Sequence, residues 1–107
     1  MQRPLPYAVV SRAPRPCLAG LVERLTDYVQ WGPIPGLQRE PAALVVPLLI
    51  GFAGSFDIAL GREPGTGEKW QSFVAGLVLR PALIRAPGPA SCVQIDFTPA
   101  GACAFFG

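Results

Sequence analysis

At 107 residues the chain has material for one hydrophobic core and not for a second domain of ordinary size. Half of its residues are hydrophobic and 15% are charged, which excludes a disordered-chain composition, while 12 Gly and 13 Pro cut the apolar stretches into short elements joined by stiff turns. The formal charge of +2 comes from nine Lys and Arg scattered against seven Asp and Glu. Without clustered cations the segment is expected to be a poor binder of nucleic acid on its own.

In chain order, residues 1–6 read as an extended lead-in and Tyr7 to Val10 as a first edge strand, because prolines 4, 6, 14 and 16 belong outside a sheet or at its margin. From Cys17 to Trp31 two periods compete. Leu18, Leu21, Val22 and Leu25 suit a helix, whereas Leu25, Asp27, Val29 and Trp31 alternate with Thr26, Tyr28 and Gln30 as in a strand. A short helix passing into a strand near Glu23 uses both patterns. Residues 32–41, with three prolines and two glycines, are expected to form a loop. The apolar run 42–52 contains Pro47 and is expected to be a buried strand with a bulge, or one at a sheet edge.

Residues 54–60 set Phe56, Ile58 and Leu60 against Ser55, Asp57 and Ala59, the pattern of a half-buried strand. The polar, glycine-rich tract 61–69 predicts a solvent-facing hairpin loop. A strand over 73–79 is stopped by Arg80-Pro81, with Leu83-Ile84 continuing beyond a bend, and Pro87-Gly88-Pro89 makes a rigid turn. In 92–97, Val93, Ile95 and Phe97 share one face and Cys92, Gln94 and Asp96 the other. Thr98-Pro99 opens a helix, with threonine as N-cap and proline at the first helical position. That helix spaces Ala102, Phe105 and Phe106 three and four apart and ends with the chain, so the chain reads as a piece of a longer protein. The sum is roughly five or six short strands with one or two short helices: a mainly β domain, a small antiparallel barrel or sandwich.

Histidine is absent, which removes the commonest zinc ligand and the usual base of hydrolytic triads, and the carboxylates are dispersed. No metal or cofactor is expected, and an enzyme is the least favoured class. Neither glycine-rich tract has phosphate-loop spacing. Cys17, Cys92 and Cys103 form no CxxC pair and suit a reducing cytoplasm. The longest apolar stretch, 41–53, is too short and too broken by proline and glycine to span a membrane. Candidate ligand-binding residues are Asp57, Asp96 and Gln94, polar groups within apolar strands, together with the aromatics Phe56 and Trp70; plain outer-face polarity and core packing are the competing roles.

The blocks Ser72-Phe73-Val74-Ala75-Gly76-Leu77 and Cys92-Val93-Gln94-Ile95-Asp96-Phe97-Thr98-Pro99-Ala100-Gly101-Ala102, together with Val46-Pro47-Leu48-Leu49-Ile50-Gly51-Phe52 and Arg80-Pro81, occur in an order that resembles the N-terminal domain of a subgroup of bacterial AraC-type transcriptional regulators. The likeness runs from about Pro16 onward. The chain departs from the family at Ala100, where leucine is usual, and at Cys103, where arginine or a similar polar residue is usual. The resemblance implies a cupin-like regulatory domain without catalytic residues, which senses an unidentified small-molecule effector or forms a homodimer. DNA would be read only through a C-terminal helix-turn-helix region that this chain lacks. Phe105 and Phe106 would then make the interdomain contact. The competing reading is a stand-alone small β-barrel protein that binds a ligand or a protein partner.

Overall fold

The computed structural model describes residues 6–40, 43–65, 68–75 and 80–107. Its strands are β1 (Tyr7–Arg12), β2 (Val22–Gln30), β3 (Ile34–Glu40), β4 (Val46–Ala53), β5 (Phe56–Leu60), β6 (Lys69–Trp70), β7 (Phe73–Val74), β8 (Ala82–Ala86) and β9 (Ala90–Phe97). A single 3-10 turn (Pro16–Leu18) precedes β2, and helix α1 (Pro99–Phe106) follows β9. The strands form a five-stranded sheet, β1-β2-β9-β4-β7, and a four-stranded sheet, β3-β8-β5-β6, antiparallel at each pairing. This is the sandwich-like, mainly β arrangement that the alternating strands predict.

The register explains which residues are inside. In β9 the pairs Cys92 with Tyr28 and with Gly51, and Gln94 with Leu49, place one face toward the other sheet. There Leu49, Ala90 and Cys92 meet Phe56, Ile58 and Ala86 in the inter-sheet core. On the opposite face Val22, Val46 and Phe97 form a second cluster with Leu25, Leu48, Ile95 and Ala102, the last of these from α1. Both faces of β9 are thus engaged, as expected for the central strand of its sheet.

Three sequence expectations change. The segment 32–41, expected as a loop, holds β3; Pro35 and Gly36 are tolerated because β3 is an edge strand whose pairing with β8 is irregular between Ile34 and Gln38. The helix expected after Cys17 shrinks to one 3-10 turn that leaves Leu18 exposed, because Val22 is already committed to pairing opposite Phe97. Pro47 causes no bulge: its carbonyl accepts from the Ala75 amide, so its main chain faces the β7 side and its missing N–H breaks no bond to β9. The irregularity in β4 falls at Gly51 and Ala53 instead.

The half-buried reading of β5 holds for Phe56 and Ile58, with Ala59 buried in addition and Leu60 exposed. The lead-in at 1–5, the two residues 66–67 of the loop and the 76–79 half of the expected strand lie outside the described residues.

Candidate functional site

A groove of about 480 Å³ opens where the two sheets meet at β5, β6 and β7, a size suited to a small molecule. Ile58, Ala59 and Leu60 from β5 and Phe73, Val74 and Ala75 at β7 line it, with Trp70, Arg62 and Glu68 also on its wall. The groove exists because the chain passes from the four-stranded sheet at Trp70 to the five-stranded sheet at Phe73 within two residues. That crossing runs over Gly51. A Cβ at Gly51 would stand 2.1 Å from the Gln71 carbonyl oxygen, so only glycine admits the close approach. The Gly51 amide donates to the Ser72 hydroxyl at 2.9 Å and pins it.

Electrostatically the rim is self-neutralised. Both Arg62 terminal nitrogens donate to the Glu68 carboxylate at 2.6 Å in a bidentate pair, and the Gly65 amide adds a third donor at 2.8 Å. These hydrogen bonds, led by the one from Arg62, hold the Glu68 carboxyl down at about 2. The Trp70 side chain is half exposed. Among its described residues the groove therefore offers an apolar wall, the aromatic side chains of Phe73 and Trp70, and the paired charges of Arg62 and Glu68. Among the described residues that line it, no acid, base and nucleophile are grouped together.

Of the residues singled out from sequence, Trp70 lines this groove, and Phe56, its ladder partner, lies in the core edge-on to Tyr28. Asp57 faces the other way, on the outer face of the four-stranded sheet, where Lys69 donates to it at 3.0 Å. Its polar outer-face role is the observed one. Asp96 is different. It is 2% exposed and lies on the inter-sheet side of β9, not on a solvent face. Gln94 donates to its Oδ1 at 2.7 Å, and Arg24 stands 3.6 Å from Oδ2 with its own side chain largely exposed. Asp57 and Asp96 are thus on different sheets and do not form a pair of acceptors around one pocket.

Phe105 and Phe106 both pack on Phe97, with ring centroids 5.0 and 5.6 Å away, and keep much of their surface exposed. The helix start is as expected: the Thr98 hydroxyl accepts from the Gly101 amide at 3.0 Å, with Pro99 in the first turn. Less expected is its anchorage. The Thr98 amide donates to the Leu21 carbonyl at 3.0 Å and its hydroxyl to the Gly20 carbonyl at 2.7 Å, while a Cβ at Gly101 would lie 1.7 Å from that same Leu21 oxygen. Helix α1 is therefore seated directly on the backbone before β2.

The groove and this seat share β4. Val74 on the groove wall is the register partner of Leu48, and Leu48 packs on the cluster of Val22, Val46 and Phe97 beneath α1. Arg62, Glu68 and Leu60 were not marked as site residues by sequence reasoning; the opposite charges within an apparently featureless loop were the available signal. A buried Gln30 was also missed. Its Nε2 donates to the carbonyls of Gly32, Ala86 and Gly88, and its Oε1 accepts from the Tyr28 hydroxyl at 2.7 Å, which ties β2 to the β8–β9 turn. That role is structural.

Among the described residues no group of His, Cys, Asp and Glu is arranged to hold a metal ion, and no helix is long and apolar enough to cross a membrane. No protein-family model, curated protein or solved structure matches the chain.

Proposed function

We propose that this chain is the regulatory domain of an AraC-type transcriptional regulator, a cupin-like β domain that takes a small, mainly apolar effector in the groove beside Trp70. The observation that carries the reading is the sharing of β4 between the groove wall at Val74 and the seat of α1 at Val46 and Phe97. An occupant that fixes β7 favours one arrangement of Leu48, and α1 responds, because a ligand shifts a two-state element by its differential affinity for the two states. Phe105 and Phe106 then carry that difference toward a DNA-reading region outside this chain. The role is binding rather than catalysis, in the cytoplasm, where Cys17, Cys92 and Cys103 stay as free thiols. The ordered sequence blocks support the family, and the apolar groove supports sensing.

Ligand-observed NMR with a set of small aromatic and alicyclic compounds tests the sensing role. At least one compound is expected to bind the chain, to lose binding in Trp70→Ala, and to shift the ring signals of Phe105. If no compound binds in a Trp70-dependent way, the groove is not an effector site. The coding sequence after Gly107 tests the family, with two helix-turn-helix units expected there.

A further inference from the structure

The ion pairs of the four-stranded sheet differ in their surroundings. Lys69 with Asp57 and Arg85 with Glu63 lie on its outer face, an ordinary solvent face. The pair of Arg62 with Glu68 instead lines the groove, together with the indole of Trp70, the ring of Phe73 and the aliphatic side chains of Leu60 and Val74. The two charged side chains are 61% and 27% exposed, so an occupant of the groove can reach both. The hairpin closes without them. The Glu68 carbonyl accepts from the Ile58 amide at 3.1 Å, and the next residue, Lys69, is the ladder partner of Asp57. Arg62 and Glu68 can therefore exchange side-chain partners while β5 and β6 stay joined. Among the described residues that line the groove, they are the only ionised groups.

We infer, resting on the effector reading of the groove, that its ligand is a free α-amino acid with an apolar side chain. The ligand carboxylate takes the guanidinium fork of Arg62, its ammonium takes the Glu68 carboxylate, and its side chain lies on Trp70 and the aliphatic wall. Charge accounting selects this class. A monoanion that takes Arg62 exchanges one carboxylate for another and leaves Glu68 unpaired beside a like charge. A monocation that takes Glu68 leaves Arg62 in the same position. An uncharged ligand meets only the apolar wall and offers the pair nothing. A zwitterion opens one ion pair and makes two, and the charge at the groove still sums to zero. An α-amino acid carries its two charges on one carbon, so it enters between groups now in contact at 2.6 Å when the Glu68 side chain swings aside. The firm hold of Arg62 on Glu68 then acts as a selector, because a singly charged ligand must break that pair without replacing it.

Isothermal titration of the 107-residue chain with four probes of one skeleton reads the outcome: phenylalanine, hydrocinnamate, phenethylamine and hydrocinnamyl alcohol, at neutral pH and low salt. Phenylalanine is expected to bind roughly fivefold tighter than each of the others, the fold-change of one additional exposed ion pair. Arg62→Met and Glu68→Gln should each abolish that advantage and leave the binding of hydrocinnamyl alcohol unchanged. Trp70→Ala should weaken all four. Circular dichroism establishes that the variants are folded, and should one of the two charge variants fail to fold, the other decides. An alcohol that binds as tightly as phenylalanine, a singly charged probe that binds tightest, or an advantage that survives both charge variants overturns the inference and leaves the groove an effector site. If no probe binds in a Trp70-dependent way, the effector reading itself falls and the inference with it.

Discussion

Gly101→Ala separates intrinsic helix propensity from the geometry of the α1 seat, because the two predict opposite signs. On propensity alone, alanine inside α1 stabilises by roughly 1 kcal/mol. The structure places the new Cβ 1.7 Å from the Leu21 carbonyl oxygen and 2.6 Å from its carbon. Neither atom belongs to a flexible side chain that turns aside; the backbone must move. Relief of the overlap requires α1 to withdraw by roughly 1.5 Å, and a gap of that size forfeits more than half of the dispersion contact between facing rings. The rings concerned are Phe105 and Phe106 on Phe97. The withdrawal also stretches the two bonds from Thr98 to the Leu21 and Gly20 carbonyls, each worth about 1 kcal/mol net.

Set against the propensity gain, the expected result is a loss of about 2–3 kcal/mol, read as a lower urea midpoint with an unchanged denaturant slope in circular dichroism. Ala104→Gly, on the exposed side of the same helix, calibrates the propensity and is expected to cost about 1 kcal/mol. If Gly101→Ala were as stable as the parent or more so, α1 would not sit against Leu21 as described, and the coupling argued through Phe97 would lose its anchor.

Replacing Gln30 by methionine keeps the side-chain length but removes four hydrogen bonds, so a loss of about 3 kcal/mol is expected by urea unfolding. Tyr28→Phe removes one of the same bonds and is expected to cost about 1 kcal/mol. Because the Tyr28–Gln30 bond is counted in both, the double variant should lose less than the two singles together, and strict additivity would argue against the network. Glu68 should titrate near 2, in place of its usual 4.5, when followed by carboxyl carbon NMR. Since the folded value is the lower one, the stabilisation from its pair with Arg62 is complete above pH 4.5 and fades as the pH falls toward 2. Arg62→Met should return the midpoint toward 4.5, and a midpoint that stays near 2 in that variant would refute the assignment of the shift to Arg62.

The strands with a clean two-residue period were the legible part of the fold. Phe56 and Ile58 are inside, as their alternation requires, and Thr98-Pro99 begins a helix for the local reasons those residues supply. Local reasoning failed where a long-range partner decided the matter. Nothing near Pro35 suggests a strand, and only the bond-forming edge of β8 makes one there. The helical spacing of Leu18, Leu21 and Val22 is genuine, but pairing of Val22 opposite Phe97 outweighs the propensity of a short, unsupported helix. The site was legible only in part for the same reason. Trp70 stands out by type, whereas the approach of Glu68 to Arg62 depends on how the intervening loop closes.

Strand β9 shows why polarity alone misplaces a face. An alternation of Val93, Ile95 and Phe97 against Cys92, Gln94 and Asp96 invites the assignment of the second set to solvent, yet that set lies between the sheets and Asp96 is among the most buried side chains in the molecule. The reconciliation is chemical. A buried carboxylate is tolerable only if its oxygens are met, and Gln94 and Arg24 meet them from the same strand and the neighbouring one. One step along the chain, Phe97 turns to the outer face and holds α1, and the next residue caps that helix. A single strand end thus fixes a buried polar contact on one side and the helix seat on the other. Only Phe97 separates the buried Asp96 from the Thr98 cap, so the polar contact between the sheets and the seat of α1 are built on three consecutive residues of one strand end.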